Sequence, residues 1–228
     1  MFLQALAAVW GFCMDFAAAR RNMVASQVRT TAVTDPLVVT ALEAVPREKF
    51  VPPAQRAYAY VDEDLQVGRG RWVMEPAVLA RLLQLADVEQ TDKALVVAAG
   101  SGYSAAVLAQ MVAKVTAVDS DPALNSQART VCSEINANVR VVADDPRNGC
   151  AEDAPYDVIV IDGAVGEVPA ALEAQLRDGG RLVTIVRNGS VGRATCVTRS
   201  GDAFSRIEAF DAMTPALPEF VKAARFVF

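Results

Sequence analysis

No histidine occurs anywhere in the 228-residue chain. That excludes Ser–His–Asp and Cys–His catalysis, histidine general-base chemistry and every metal site built on imidazole. Cysteine is scarce as well. Cys13, Cys132, Cys150 and Cys196 match neither zinc-ligand nor CxxC spacing. They read as reduced thiols of a cytoplasmic protein, and no metal site is expected. Basic charge is in deficit, with 22 Lys and Arg against 27 Asp and Glu and a net charge of −5. A broad electrostatic footprint for nucleic acid is therefore missing, and no nucleic-acid partner is expected. Long apolar runs are missing too. The opening "MFLQALAAVWGFC" lacks a basic n-region and an A-x-A cleavage site, and residues 1–13 fall short of the roughly 20 needed to span a bilayer. No membrane partner is expected. The more polar, amphipathic start at Met14 marks residues 1–13 as an extension from an upstream start codon. Mass spectrometry of the natively expressed protein tests this, and an intact Met1 terminus would count against it.

What remains is a composition for a packed core, 53% hydrophobic and 21% charged. Chemistry must come from carboxylates, hydroxyls, arginines, backbone groups or a cofactor. The first third reads as helices. Residues 15–30 form one, with Asp15 as N-cap, and "TDPLVVTALEAV" forms another, capped by Thr34 or Asp35. Residues 51–75, with Pro52, Pro53, Gly68 and Gly70, read as loop with short extended pieces. Pro76 opens a helix with a broad apolar face.

From about residue 93 apolar strands alternate with helices. The strands are "ALVVA", "KVTAVD", "VRVVAD", "YDVIVID" and "GRLVTIV", with helices starting near Tyr103, Ala123 and Pro169. This alternation predicts an α/β fold with a mostly parallel sheet covered on both faces. "GRATCVTRS" and "AFSRIEAF" flank a turn at Gly201–Asp202 and predict a terminal antiparallel hairpin.

Ligands in such sheets bind beyond the carboxyl ends of the strands, at the topological switch point. Four features converge there. The loop Ala98–Ala99–Gly100–Ser101–Gly102 lets backbone approach a ligand and opens onto free helix N–H groups. Asp119 ends the second strand, where an acid accepts hydrogen bonds from both ribose hydroxyls. Its competing role is to cap the helix near Pro122. Asp144 and Asp145 end the third strand, where Asp144 can face an adenine amino group or simply lie in a solvated turn. Asp162 ends "YDVIVID" and faces the reaction site, or else caps the segment from Gly163. NAD and S-adenosylmethionine share much of this logic. The loop lacks the G-x-G-x-x-G of a dinucleotide site, and the terminal hairpin favours a methyltransferase.

Several stretches carry a resemblance: "ALEAVPREKFVP", "AYVDEDLQVGRG", "PAVLARLL", "GSGYSAAVLA", "PYDVIVIDGAVGEVPAALEAQL" and "GGRLV". Through these, from about Arg20 to Phe220, the chain resembles the protein-L-isoaspartate O-methyltransferase family. The resemblance implies a class I, Rossmann-like S-adenosylmethionine-dependent methyltransferase fold. Residues 14–228 would form one domain, with N-terminal helices and the active-site loop in 14–92 and the Rossmann-like core in 93–228. It implies S-adenosylmethionine as cofactor and methyl transfer to the α-carboxylate of an isoaspartyl residue in a damaged protein or peptide. Gly100, Ser101, Gly102, Asp119 and Asp144 would bind cofactor. Asp162, Arg71 and Glu75 would serve the acceptor.

The departures from the family pattern are concentrated. Its active-site loop G-x-G-Q-T-I-S-Q-P here reads "GRGRWVMEP", so Thr, Ser and the second Gln become Trp72, Met74 and Glu75. Its cofactor loop L-E-I-G-T-G-S-G-Y here reads "LVVAAGSGY", with Val96 for the acid and Ala98 for the first glycine. Ala98 is tolerable there only if its φ is negative. An ionised Glu75 about 5 Å from a carboxylate acceptor would repel it by about 3 kcal/mol at an effective dielectric near 20. Arg69 and Arg71 are either the compensating carboxylate forks or a solvent-exposed loop edge. Two other functions stay open: a degenerate member acting as a binding module, with Trp72 and Met74 filling the acceptor pocket, and a methyltransferase for an unidentified small acceptor.

Overall fold

The computed structural model describes residues 14–221. The expectation for residues 1–13 lies outside them. α1 (Phe16–Met23) starts where the Asp15 carboxylate accepts the Ala18 N–H at 2.9 Å. It runs on through a π turn, Val24–Val28, and a 3-10 turn, Arg29–Thr31, stopping at left-handed Ala32. α2 (Pro36–Ala44) is capped by Asp35, which accepts from Leu37 N–H, so Asp35 rather than Thr34 takes that role. α3 (Pro76–Leu85) starts on a proline whose missing N–H would be unpaired in any case.

Residues 51–75 are more ordered than their prolines and glycines suggest. They hold a 3-10 helix, Pro53–Tyr58, and a two-stranded hairpin of β1 (Leu65–Gly68) and β2 (Arg71–Val73). Gly70 makes the hairpin turn at φ +69°.

The main sheet contains β3 (Lys93–Val97), β4 (Lys114–Asp119), β5 (Val139–Ala143), β6 (Tyr156–Val165), β7 (Leu176–Asn188), β8 (Val191–Ser200) and β9 (Ala203–Asp211). Its order is β5-β4-β3-β6-β7-β8-β9. The pairings from β5 across to β7 are parallel, and β8 and β9 add antiparallel edges. The helices between strands are α4 (Tyr103–Leu108), α5 (Pro122–Glu134) and α6 (Ala170–Glu173). The last is a single turn.

The continuous apolar strands feed two cores. Ala94 and Val96 of β3 and Val158 and Val160 of β6 face the larger one, with Leu42 of α2 and Leu79 and Leu82 of α3. Leu95, Val97, Ile159 and Ile161 face the other, with Leu172 of α6 and with Leu217 and Phe220. Alternate residues thus point to opposite faces, as strand geometry requires. The second core also anchors the segment after β9. Leu217 N–H donates to Ala164 O at 2.8 Å, and Gly166 N–H to Phe220 O at 3.2 Å. This strap passes across the carboxyl ends of the strands.

Candidate functional site

The switch point lies at β3, whose neighbours are β4 and β6. The loop after β3 has left-handed φ at alternate residues: Ala98 (+57°), Gly100 (+55°) and Gly102 (+92°). Gly102 is obligatory, because a Cβ there would lie 2.9 Å from Ala128 Cβ. Ala98 has no such freedom. The negative φ that would make an alanine easily tolerated is not what the structure has, and the alanine carries a left-handed strain of about 1 kcal/mol.

Asp119 is fully buried at the end of β4. Its Oδ2 accepts Gly100 N–H at 2.8 Å, and its Oδ1 accepts Asp121 N–H at 3.0 Å. It does not cap α5. Asp121 does, accepting from Ala123 and Leu124 N–H.

Arg71, on β2, is also buried, which rules out the solvent-exposed loop edge; Arg69 is the exposed one. Arg71 Nε donates to Asp119 Oδ2 at 2.6 Å. Nη1 and Nη2 clasp Glu219 of the strap at 3.1 and 2.7 Å, and Nη1 also reaches Gly70 O at 3.0 Å. Burial works against the Arg71 charge, but hydrogen bonds to Glu219 and Asp119 outweigh it and push the pKa above its usual value. Burial also opposes the Glu219 charge, and Arg71 outweighs it to hold that carboxyl below its usual range. The arginine stem runs over the glycine loop. A Cβ built on Gly100 would lie 3.6 Å from Arg71 Cβ.

On the other side of β3 from Asp119, Asp162 is only 6% exposed near the end of β6. The strand continues to Val165, so Asp162 caps nothing. Its Oδ1 has no hydrogen-bond partner among the described residues. Burial pushes its pKa up to about 7, and Asp64 and Asp119 add to the shift; Ser104 and Arg47 oppose it. Ser104 and Arg47 lie beside it and Tyr103 beside Arg47, and among the described residues Ser104 Oγ, Arg47 Nη1, Tyr103 OH and, in the glycine loop, Ser101 Oγ are further buried polar atoms without partners. Buried polar groups are nearly always paired, so this cluster suits a polar ligand or ordered water.

Arg47 was not singled out by the sequence reading, although it sits inside "VPREKFVP". It is wholly buried and donates through Nε to Ala59 O at 2.7 Å. Its guanidinium lies 4.9 Å from the centroid of the Tyr103 ring, and Phe50 meets the same ring edge-on at 5.6 Å. The two most specific sequence stretches therefore pack against each other. The available signal was a charged triplet, Arg47–Glu48–Lys49, enclosed by prolines and apolar residues.

Glu75 is half-buried, and its backbone N–H donates to Asp64 Oδ1 at 2.9 Å. Burial first, then Asp64 and Asp62, push its pKa up to about 7. Burial also raises Asp64. Met74 is buried in the larger core and Trp72 is half-buried on β2, opposite Gln66. Asp144 is exposed beyond β5, next to the β4 tip, with its N–H donated to Asp119 O at 3.2 Å. Asp145 instead caps a 3-10 turn and pairs with Arg147.

Residues 18–213 match the profile of the protein-L-isoaspartate (D-aspartate) O-methyltransferase family. The chain belongs to this family. It is 38% identical over 188 residues to protein-L-isoaspartate O-methyltransferase 1 of Rhodopseudomonas palustris, covering 82% of this chain and 77% of that one. It is 36% identical over 197 residues to the Methylorubrum extorquens enzyme, covering 86% of each. A solved protein-L-isoaspartate O-methyltransferase superposes with a TM-score of 0.76 at 22% identity, covering 86% of this chain and 65% of that one. A Plasmodium falciparum structure described as the same type of enzyme, in complex with S-adenosyl-L-homocysteine, gives 0.74 at 17% identity, covering 90% and 98%. Both place the fold among class I methyltransferases. In this chain the acid at the β4 tip is bound to an arginine from the β1–β2 hairpin.

Proposed function

We propose that this chain is an S-adenosylmethionine-dependent methyltransferase that esterifies a carboxylate of damaged protein, the α-carboxylate of an isoaspartyl residue. One observation carries the reading: a buried carboxylate, Asp119, at the tip of β4 and bonded to the Gly100 N–H of a bare-backbone loop. Such an acid suits a ribose diol, and such a loop suits a nucleoside lying against it. Asp119, Gly100, Ser101 and Gly102 would hold the cofactor, with Asp144 at the adenine edge. The cofactor supplies an electrophilic methyl group when bound. The unpaired hydroxyls of Ser101, Tyr103 and Ser104 fit the polar remainder of cofactor or acceptor. The fit has one exception, since Arg71 already holds one oxygen of Asp119.

A carboxylate acceptor is already a nucleophile at neutral pH, so this chain must orient it and exclude water rather than remove a proton. Glu75 and Asp162 bear on that task. With pKa values near 7, each is largely neutral below that pH. A neutral carboxyl donates a hydrogen bond to an acceptor carboxylate where an ionised one repels it. The repulsion expected of Glu75 thereby becomes an attraction on the acid side of neutrality. Arg71 faces the cofactor loop and Glu219, so the acceptor role falls to Asp162 and Glu75. Among the described residues Cys132, Cys150 and Cys196 are buried free thiols. Among the described residues no helix is long and apolar enough to cross a membrane.

A second reading, a family member that has become a binding module, is favoured by the Arg71–Asp119 pair itself. The deciding assay incubates the protein with methyl-labelled S-adenosylmethionine and paired isoaspartyl and aspartyl peptides. A base-labile methyl ester on the isoaspartyl peptide alone supports the first reading. Cofactor binding without transfer to either peptide overturns the protein acceptor and leaves a small one. No cofactor binding at millimolar concentration overturns every enzymatic reading.

A further inference from the structure

Three parts of the chain meet on one guanidinium. Arg71 comes from the β1–β2 hairpin, Asp119 from the end of β4 and Glu219 from the strap. The arginine and aspartate side chains are 3% and 0% exposed, whereas Glu219 is 26% exposed. The hairpin turn leans on the strap, since a Cβ on Gly70 would lie 2.5 Å from Pro218 Cγ. The arginine stem covers Gly100, and its Nε occupies the Asp119 oxygen that also accepts the Gly100 N–H. A ribose laid on this loop would meet the same stem and seek the same carboxylate.

We infer that Arg71 is an internal occupant of the ribose seat, competing with the nucleoside for Asp119 and setting cofactor affinity through its tether to Glu219. The inference rests on the cofactor reading above. Binding then requires the guanidinium to leave Asp119 and move out with Glu219, the most exposed of the three. An occupant present in 90–99% of molecules weakens apparent affinity by about 10- to 100-fold, because only the open fraction binds. The family pattern has an uncharged Gln at position 71, so the charge that grips Asp119 is a departure of this chain.

Titration calorimetry with S-adenosyl-L-homocysteine tests this on wild type, Arg71→Ala, Arg71→Gln and Glu219→Gln. The expected result is binding at least tenfold tighter in both Arg71 variants and a few-fold tighter in Glu219→Gln, where only the tether is weakened. Thermal melts supply a second readout free of activity. Arg71→Ala should melt lower than wild type when empty and gain more from added ligand. Arg71→Gln keeps bulk and a hydrogen-bond donor, so it carries the test if the alanine variant does not fold. Wild-type binding that is unchanged or weakened in both Arg71 variants overturns the inference and leaves the cofactor reading standing. No binding by wild type or by either Arg71 variant overturns both.

Discussion

Two aspartates end neighbouring regions of the same sheet and are treated in opposite ways. Asp119 at the β4 tip is enclosed by donors: two backbone N–H groups and a guanidinium. Asp162 at the β6 end is enclosed by little that stabilises a charge, and one oxygen has no partner. A buried carboxylate met by donors ties together the elements that supply them. One whose burial outweighs the groups that favour its charge retains its proton toward neutrality and stores instability. The contrast divides the site into a braced half, suited to a neutral diol, and an unpaired half, suited to meeting another carboxylate. It also predicts which substitutions harm the protein and which relieve it.

The largest effect should come from breaking the braced half. Asp119→Ala removes the buried partner of Arg71 and should cost about 3–5 kcal/mol, measured by urea unfolding, with loss of S-adenosyl-L-homocysteine binding. The opposite outcome is expected at the other tip. Asp162→Asn should stabilise the protein at pH 8 by a few kcal/mol, at about 1.4 kcal/mol per unit of relieved pKa shift. The sign follows from a folded pKa raised above the unfolded one. The native state is favoured by the retained proton at low pH, and that advantage is lost as pH rises from about 4 through 7. The substitution should therefore change little near pH 3.5 and flatten the wild-type decline between pH 4 and 7. Methyl transfer should likewise fall as pH rises through 7, when Glu75 and Asp162 ionise, and a rate rising steadily to pH 9 would contradict their proposed role.

Smaller effects lie in the loop between the two tips. Gly102→Ala places a Cβ at left-handed φ and against Ala128, and should destabilise by about 2 kcal/mol in the same unfolding assay. Ala98→Gly should do the reverse, stabilising by about 1 kcal/mol because it relieves the left-handed alanine. Together they separate a glycine the loop needs from a glycine it has lost.

Much of this was legible in the sequence. The strands could be read because residues such as those of "ALVV" are apolar on both faces, as a doubly covered sheet demands, and the tips then place Asp119 and Asp162. The terminal hairpin followed from its turn and its flanking β-branched residues. What escaped was tertiary. Arg71 pairs with partners 48 and 148 residues away, and no local pattern announces that an arginine between Gly70 and Trp72 is buried while Arg69 is exposed. The φ of Ala98 depends on the loop as a whole, so the residue type alone could not fix its sign. The near-neutral pKa of Glu75 needs Asp62 and Asp64 brought beside it by the hairpin. The order within residues 51–75 comes from packing that outweighs proline and glycine content.

The most direct test of the contrast is a carbon NMR titration of the protein labelled at aspartate carboxyl carbons, with Asp162→Asn as the assignment control. The account predicts an aspartate titrating near pH 7 in the wild type that is absent from the variant. If Asp162 instead titrates in the ordinary range near pH 4, the unpaired half of the site does not exist as described.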